Sequence, residues 1–161
     1  MFDTMQTIHQ LLETYGESHK NTTNKLIHWI CVPSIMFSLA GLLMAIPNPF
    51  LAEKSFVLNY AFAFFVWAWI YYMRLSKVMF YGFFVIGLLI LWGNLEIFKA
   101  LETRGKLALI SLAIFVVAWI GQFIGHKIEG KKPSFLQDLQ FLLIGPAWLL
   151  HFIYDKLGVK Y

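Results

Sequence analysis

Three of the five histidines in this 161-residue chain stand where apolar runs meet polar ones. His19 and His28 bound "HKNTTNKLIH" (19–28), and His126 lies in "GQFIGHKIEGKKPS" (121–134). Neutral imidazoles gathered at one point suit a borderline metal such as iron, zinc or nickel. On one unbroken helix, nine steps of about 100° would put His19 and His28 on opposite sides. Asn21, Thr22, Thr23 and Asn24, between them, favour caps and turns over helix interiors. A break there frees His19 to fold back toward His28. Gln122 and His126 are four positions apart and His126 and Glu129 three, so they share one helix face. Ser134 is a candidate cap for a following helix, with Gln137 completing a capping box. Asp138, one turn on, then reaches the same cavity. Glu129 and Asp138 are candidate metal ligands, or groups that orient an imidazole ring. Ionisable groups at membrane depth are costly without a partner, and a metal is one such partner. Polar pairing between helices explains the same stripe with no metal, and the spacing matches no standard motif such as HExxH. On spacing alone both readings stand.

The elements that must position these residues are apolar. Hydrophobic residues make up 59% of the chain and charged ones 14%, against roughly 45–50% and about 25% in soluble proteins. A domain of this size cannot bury so much apolar surface from water. The expected fold is all-α: one membrane domain over residues 1–161, built as a polytopic helix bundle. Phe2, Met5, Ile8, Leu12 and Tyr15 recur at steps of three or four. They predict an interfacial amphipathic helix within residues 1–18, capped by Asp3 or Thr4 and ended at Gly16. The bundle, residues 26–154, has four expected crossings: Leu26 to Ile46, Phe56 to Met73, Val78 to Gly93 and Leu107 to Ile124. A charged loop with room for a helical turn, "NLEIFKALETRGK" (94–106), separates the last two, and the short third crossing can borrow its ends from Lys77 and "NLEIF". A fifth apolar segment, Phe135 to Tyr154, is expected to be broken at Gly145-Pro146. Gly121 and Gly125 form a GxxxG that permits a tight helix contact, within the chain or in a homo-oligomer.

Charge sets the expected orientation. Seven of the 13 Lys and Arg residues fall on the side that holds the start of crossing one, and four on the other. Two more lie in the tail. The positive-inside bias then puts the N-terminus and all three histidines at the cytoplasmic face, of an inner membrane in a bacterium or of the endoplasmic reticulum in a eukaryote. The net charge of +4 reads as anchoring on anionic membrane lipid, not as a nucleic-acid surface. The single cysteine, Cys31, rules out an internal disulfide and any multi-cysteine metal site. The N-terminal segment has no apolar h-region of a cleavable signal peptide.

Two stretches carry a resemblance. "YGESHKNTTNKLIHWICVP" follows the pattern Y-x3-H-x4-N-x3-H-x4-P, through Tyr15, His19, Asn24, His28 and Pro33. "WIGQFIGHKIEGKKPSFLQDL", with a later "GPAW", follows Q-x2-GH, an acidic residue, a proline and a Gly-Pro. Together they resemble the family of the fungal 2-hydroxy fatty acid dioxygenase of phytosphingosine breakdown, from about Tyr15 to Leu157. The resemblance implies an iron(II)-dependent α-oxidation. A 2-hydroxy fatty acid reacts with O2, loses its carboxyl carbon and leaves a fatty acid one carbon shorter. It also implies that His19, His28 and His126 are the Fe(2+) ligands and the catalytic set. A 2-hydroxy carboxylate can chelate such a metal, and Lys20, Lys25 or Lys127 are candidates to attract its charge. Asn24, Gln122, Glu129 and Asp138 would support the ligands or the substrate. Two other classes stay open: a metal- or haem-binding module or small transporter with no oxygenase activity, and a lipid-packing protein whose histidines only pair with polar groups.

Overall fold

The computed structural model describes residues 7–48, 54–132 and 141–161. Among them the chain is all-helical, with α1 Ile8–Gly16, α2 Thr22–Ala45, α3 Tyr60–Leu75, α4 Lys77–Leu101, α5 Arg104–Glu129 and α6 Phe141–Leu157. Three of these, α2, α4 and α5, are long and apolar enough to cross a membrane. They also leave large apolar side chains uncovered, such as Ile30, Leu89 and Val117. Such a surface is at home against lipid. At 16 residues, α3 spans about 24 Å.

Local chemistry sets most boundaries. Thr7 caps α1 by accepting from Gln10 N, while the Gln10 side chain returns to the Thr7 N–H. The expected caps Asp3 and Thr4 lie outside the described residues. Asn21 starts α2, its side chain accepting from Thr23 N and Asn24 N. Ser76 both ends α3 and starts α4, which makes a one-residue reversal. Thr103 caps α5, and Gly130, at φ 73°, closes it in the left-handed region that glycine tolerates.

Two expectations need correction. The charged stretch at 94–106 is loop only at its end: α4 starts at Lys77 and runs through "NLEIF" to Leu101, so the short third crossing does borrow its ends there. Asn94 is held inside the bundle through the carbonyls of Phe37 and Ile90, and Glu96 pairs with Lys99 one turn on. The fifth apolar segment is not broken at Pro146, since α6 is helical from Phe141 through Leu157. Pro146 lies inside α6, where its missing N–H frees only the Leu142 carbonyl.

Contacts between elements fix the topology. A Cβ on Gly121 would meet Cys31, one on Gly125 would meet Asn24, and one on Gly41 would meet Ser111. Positions rise along α2 as they fall along α5, so the two helices run antiparallel in close contact. The GxxxG glycines therefore seat α5 on α2 of the same chain. Asn94 of α4 bonds to Phe37 of α2, and the far ends meet where Arg104 donates to the Ile46 carbonyl. The start of α2 and the end of α5 thus share one end of the bundle. There α1 buries Ile8, Leu11, Leu12 and Tyr15 and packs on α6, so its apolar face is covered by protein. Tyr154 of α6 donates to the Val78 carbonyl at the start of α4.

Candidate metal centre

At the shared end, His19, His28 and His126 come together. One ligating atom from each lies within 4.8 Å of the others, and all three residues are at most 4% exposed. Asn21 breaks the chain between the first two, so His19 turns back over the start of α2. The His19 and His28 ring centroids are 4.4 Å apart, and each lies 5.0 Å from that of His126.

The hydrogen bonds determine which nitrogens are available. His19 Nδ1 donates to the Tyr15 carbonyl at 2.6 Å, and His28 Nδ1 donates to the Asn24 carbonyl at 2.9 Å. Each bond fixes the tautomer and leaves Nε2 with its lone pair. The two Nε2 atoms then face each other at 3.0 Å. Burial pushes the His19 imidazole from 6.5 down to about 3, against the upward pull of its bond to Tyr15, so no added proton sits between them near neutral pH. Two converging lone pairs repel unless a cation lies between them. Two metal–nitrogen bonds of about 2.1 Å bridge that separation. His126 Nδ1 is buried and has no hydrogen-bond partner among the described residues. Donor type, direction and unmet valence all fit a borderline divalent metal.

The remaining candidates divide. Glu129 staples the loop that carries His19. It accepts from Lys20 N at 2.8 Å, Asn21 N at 2.9 Å and Asn24 Nδ2 at 3.0 Å. The group of side chains close enough to share one ion comprises His19, His28 and His126, without Glu129. Asn24 is fully buried and links Glu129 to the backbone that holds His28. Gln122 is buried with His126 in the wall of a small cavity, its Nε2 also unpartnered among the described residues. Lys20 donates its backbone N–H to Glu129, and neither Lys20 nor Lys25 lines that cavity among the described residues. Asp138 lies outside the described residues, as do Pro133, Ser134 and Gln137. His9 contacts Tyr161, and His151 pairs with Asp155, 3.4 Å away, and with the Tyr161 hydroxyl.

Trp148 escaped the reading of spacing, although it stands in a quoted stretch, and Tyr15 was read there only as a helix-face and motif position. Tyr15 stacks on His19, with centroids 4.1 Å apart at 12°. Trp148, from "GPAW", packs against both His19 and His28. Aromatic residues are abundant in any membrane helix, so neither stood out by type. Gly145 makes room for the Tyr15 hydroxyl.

The fold and site define a class: a helical protein with membrane-length spans and a buried cluster of three histidines at one end of its bundle. The chain belongs to the Mpo1-like family, whose model, described as 2-hydroxy-palmitic acid dioxygenase Mpo1-like, matches residues 5–157. It is 29% identical over 147 residues to the 2-hydroxy-palmitic acid dioxygenase MPO1 of Saccharomyces cerevisiae, covering 89% of this chain and 78% of the yeast protein. No solved structure matches it.

Proposed function

We propose that this protein is an iron(II)-dependent dioxygenase that converts 2-hydroxy fatty acids to fatty acids one carbon shorter. The observation that carries the proposal is the facing pair of Nε2 lone pairs on His19 and His28, 3.0 Å apart, with buried His126 beside them. The family and the yeast relative's name supply the substrate class. His19, His28 and His126 would hold the metal. When bound, iron(II) supplies the reduction of O2 and a chelating position for the hydroxyl and carboxylate oxygens. Overall, the bond between Cα and the carboxyl carbon breaks. Cα becomes the new carboxyl carbon, the old one leaves as CO2, and O2 is reduced, giving one water.

The chain's own residues bind, orient and exclude. The carbonyls of Tyr15 and Asn24 hold two imidazoles with Nε2 turned inward. Glu129 and Asn24 keep the His19 loop on the end of α5. Tyr15 and Trp148 wall off water. A haem bound through His19 and His28 would need room between them, and nitrogens 3.0 Å apart leave none for a macrocycle, which at that pair favours a compact ion over the haem-binding alternative. In the membrane we assign four crossings, α2 to α5, within one domain, and place the histidine end at the cytoplasmic face. This follows from the seven basic residues on that side and from α3 and α4 reversing within one residue.

The test is turnover. Detergent-purified protein reconstituted with iron(II) should convert 2-hydroxyhexadecanoate and O2 to pentadecanoate, read by mass spectrometry. Chelator-stripped protein should not, and equal rates would overturn the proposal.

A further inference from the structure

Behind the histidines lie two cavities that share a wall. The small one, about 50 Å³, is lined by Gln122 and His126, with Tyr15 and Gly145 opposite. The large one, about 400 Å³, is almost wholly apolar and reaches Leu39, Phe65, Ala68 and Phe115. Ile35, Met36, Trp119, Leu142 and Pro146 border both. From His28 to Leu39, and from Phe115 to His126, the helices rise roughly 16 Å (eleven residues at about 1.5 Å each). The two cavities together run that far from the imidazoles into the apolar depth of the bundle. The polar end holds an amide nitrogen, Gln122 Nε2, that is buried and has no hydrogen-bond partner among the described residues. Gln122 is 5% exposed. A buried donor without a partner at the head of an apolar cavity calls for an acceptor attached to a long apolar body.

We propose that Gln122 donates to the carboxylate of a long-chain monoacyl acid in the small cavity, and that the acyl tail fills the large cavity past the wall at Met36. This deepens the function proposed above and rests on it for the acid's 2-hydroxy group. Met36 is the movable part of the wall, because an unbranched thioether changes shape at little cost. Ala68, 4% exposed, is a small residue in the lining of the large cavity, so a larger side chain there shortens the space for the tail. Phe64 and Trp67 of α3 and Phe115 and Trp119 of α5 also line it, and Trp67 is exposed at the apolar surface, the side from which an acid dissolved in lipid would enter. Gln122 sets the head and Ala68 the tail, so the site measures chain length.

The experiment is photolabelling of the intact protein under nitrogen, where no turnover occurs. The probe is hexadecanoic acid carrying a diazirine at its methyl end. Label is expected on the α3 stretch 64–72 or the α5 stretch 115–119. It should be competed by 2-hydroxyhexadecanoate and not by phosphatidylcholine. The isosteric Gln122→Glu, which replaces the donor with a like charge, should weaken half-saturation at least fivefold, and Met36→Trp should abolish distal label. Ala68→Phe should change the ratio of 12- to 16-carbon binding at least tenfold in favour of the shorter acid. Melting temperatures within a few degrees of the parent certify each variant, and Ala68→Leu, with a smaller shift in the same direction, replaces Ala68→Phe if the latter does not fold. Label elsewhere, or competition by phosphatidylcholine, overturns the proposal. So does a chain-length ratio that neither Ala68 variant moves. Labelling and length shifts as stated without iron-dependent turnover would retire the dioxygenase reading and keep the acid site. Turnover with label elsewhere would do the reverse.

Discussion

The bundle buries polar groups in two places, and they are built on opposite plans. In its middle, Asn94 donates both amide hydrogens to the carbonyls of Phe37 and Ile90. Ser38 donates to Ser34 and Ile35. Gly41 admits the Asn94 and Ser111 side chains, and of the amide only Asn94 Oδ1 lacks a partner among the described residues. This is polar glue between membrane helices. At the histidine end, backbone carbonyls take one nitrogen each of His19 and His28, and the other nitrogens converge on a point where no donor stands. Buried polar groups whose donors find acceptors hold a fold together. Buried lone pairs aimed at one another await a ligand.

The largest expected difference separates these two places directly. His28→Ala should reduce turnover of a 2-hydroxy acid to background. Asn94→Leu should leave at least a third of the rate while lowering the melting temperature. If Asn94→Leu removed activity as fully as His28→Ala at unchanged metal content, the division would be wrong. Next comes the staple. Glu129→Gln keeps the shape but loses the charge that holds the Lys20 and Asn21 amides, and should weaken metal binding by roughly 10–100-fold, measured by competition with a chelator. An unchanged affinity would show that the loop needs no anchor.

Acid sharpens the contrast further. In the metal-free protein the folded-state value of His19 is depressed to about 3 from 6.5. Below the unfolded value the unfolded chain binds the extra proton, so the stability conferred by the neutral ring is present near pH 7. It is lost as pH falls from about 6.5 toward 3, by up to about 1.4 kcal/mol per unit. Melting of the metal-free protein should fall over this window, and His19→Gln should flatten the slope. The smallest effects come from two glycines. Gly125→Ala puts a Cβ 2.4 Å from Asn24 Oδ1 and should destabilise by about 1–3 kcal/mol. Gly105→Ala meets nothing within 4 Å and should stabilise by about 0.5 kcal/mol. Thermal denaturation of both variants checks the pair.

Much of this end was legible in the sequence. The capping run at 21–24 announced the turn that brings His19 back, and an even number of helices between His28 and His126 put them at one face. Spacing four apart placed Gln122 beside His126. Legibility ran out where a residue's partner comes from elsewhere in the chain. Glu129 read as a ligand or as a group that orients one, because an acid three positions from a histidine faces the same way; the amides of Lys20 and Asn21 that it accepts from lie over a hundred positions earlier and are invisible in a local window. Asn94 and Glu96 read as a loop because polar residues usually mark one, and the Phe37 carbonyl that lets Asn94 stay in a helix is invisible in a local window. Pro146 read as a break, although α6 continues through it and its missing N–H removes only one bond. Trp148 was hidden by the number of aromatics around it.

Metal content tests the central claim most directly. Elemental analysis of the purified protein and of His19→Ala, His28→Ala and His126→Ala is expected to find close to one iron per parent chain after reconstitution, and at least a tenfold loss in each variant. Iron retained in full by all three variants, or none bound by the parent at saturating iron(II), would contradict it.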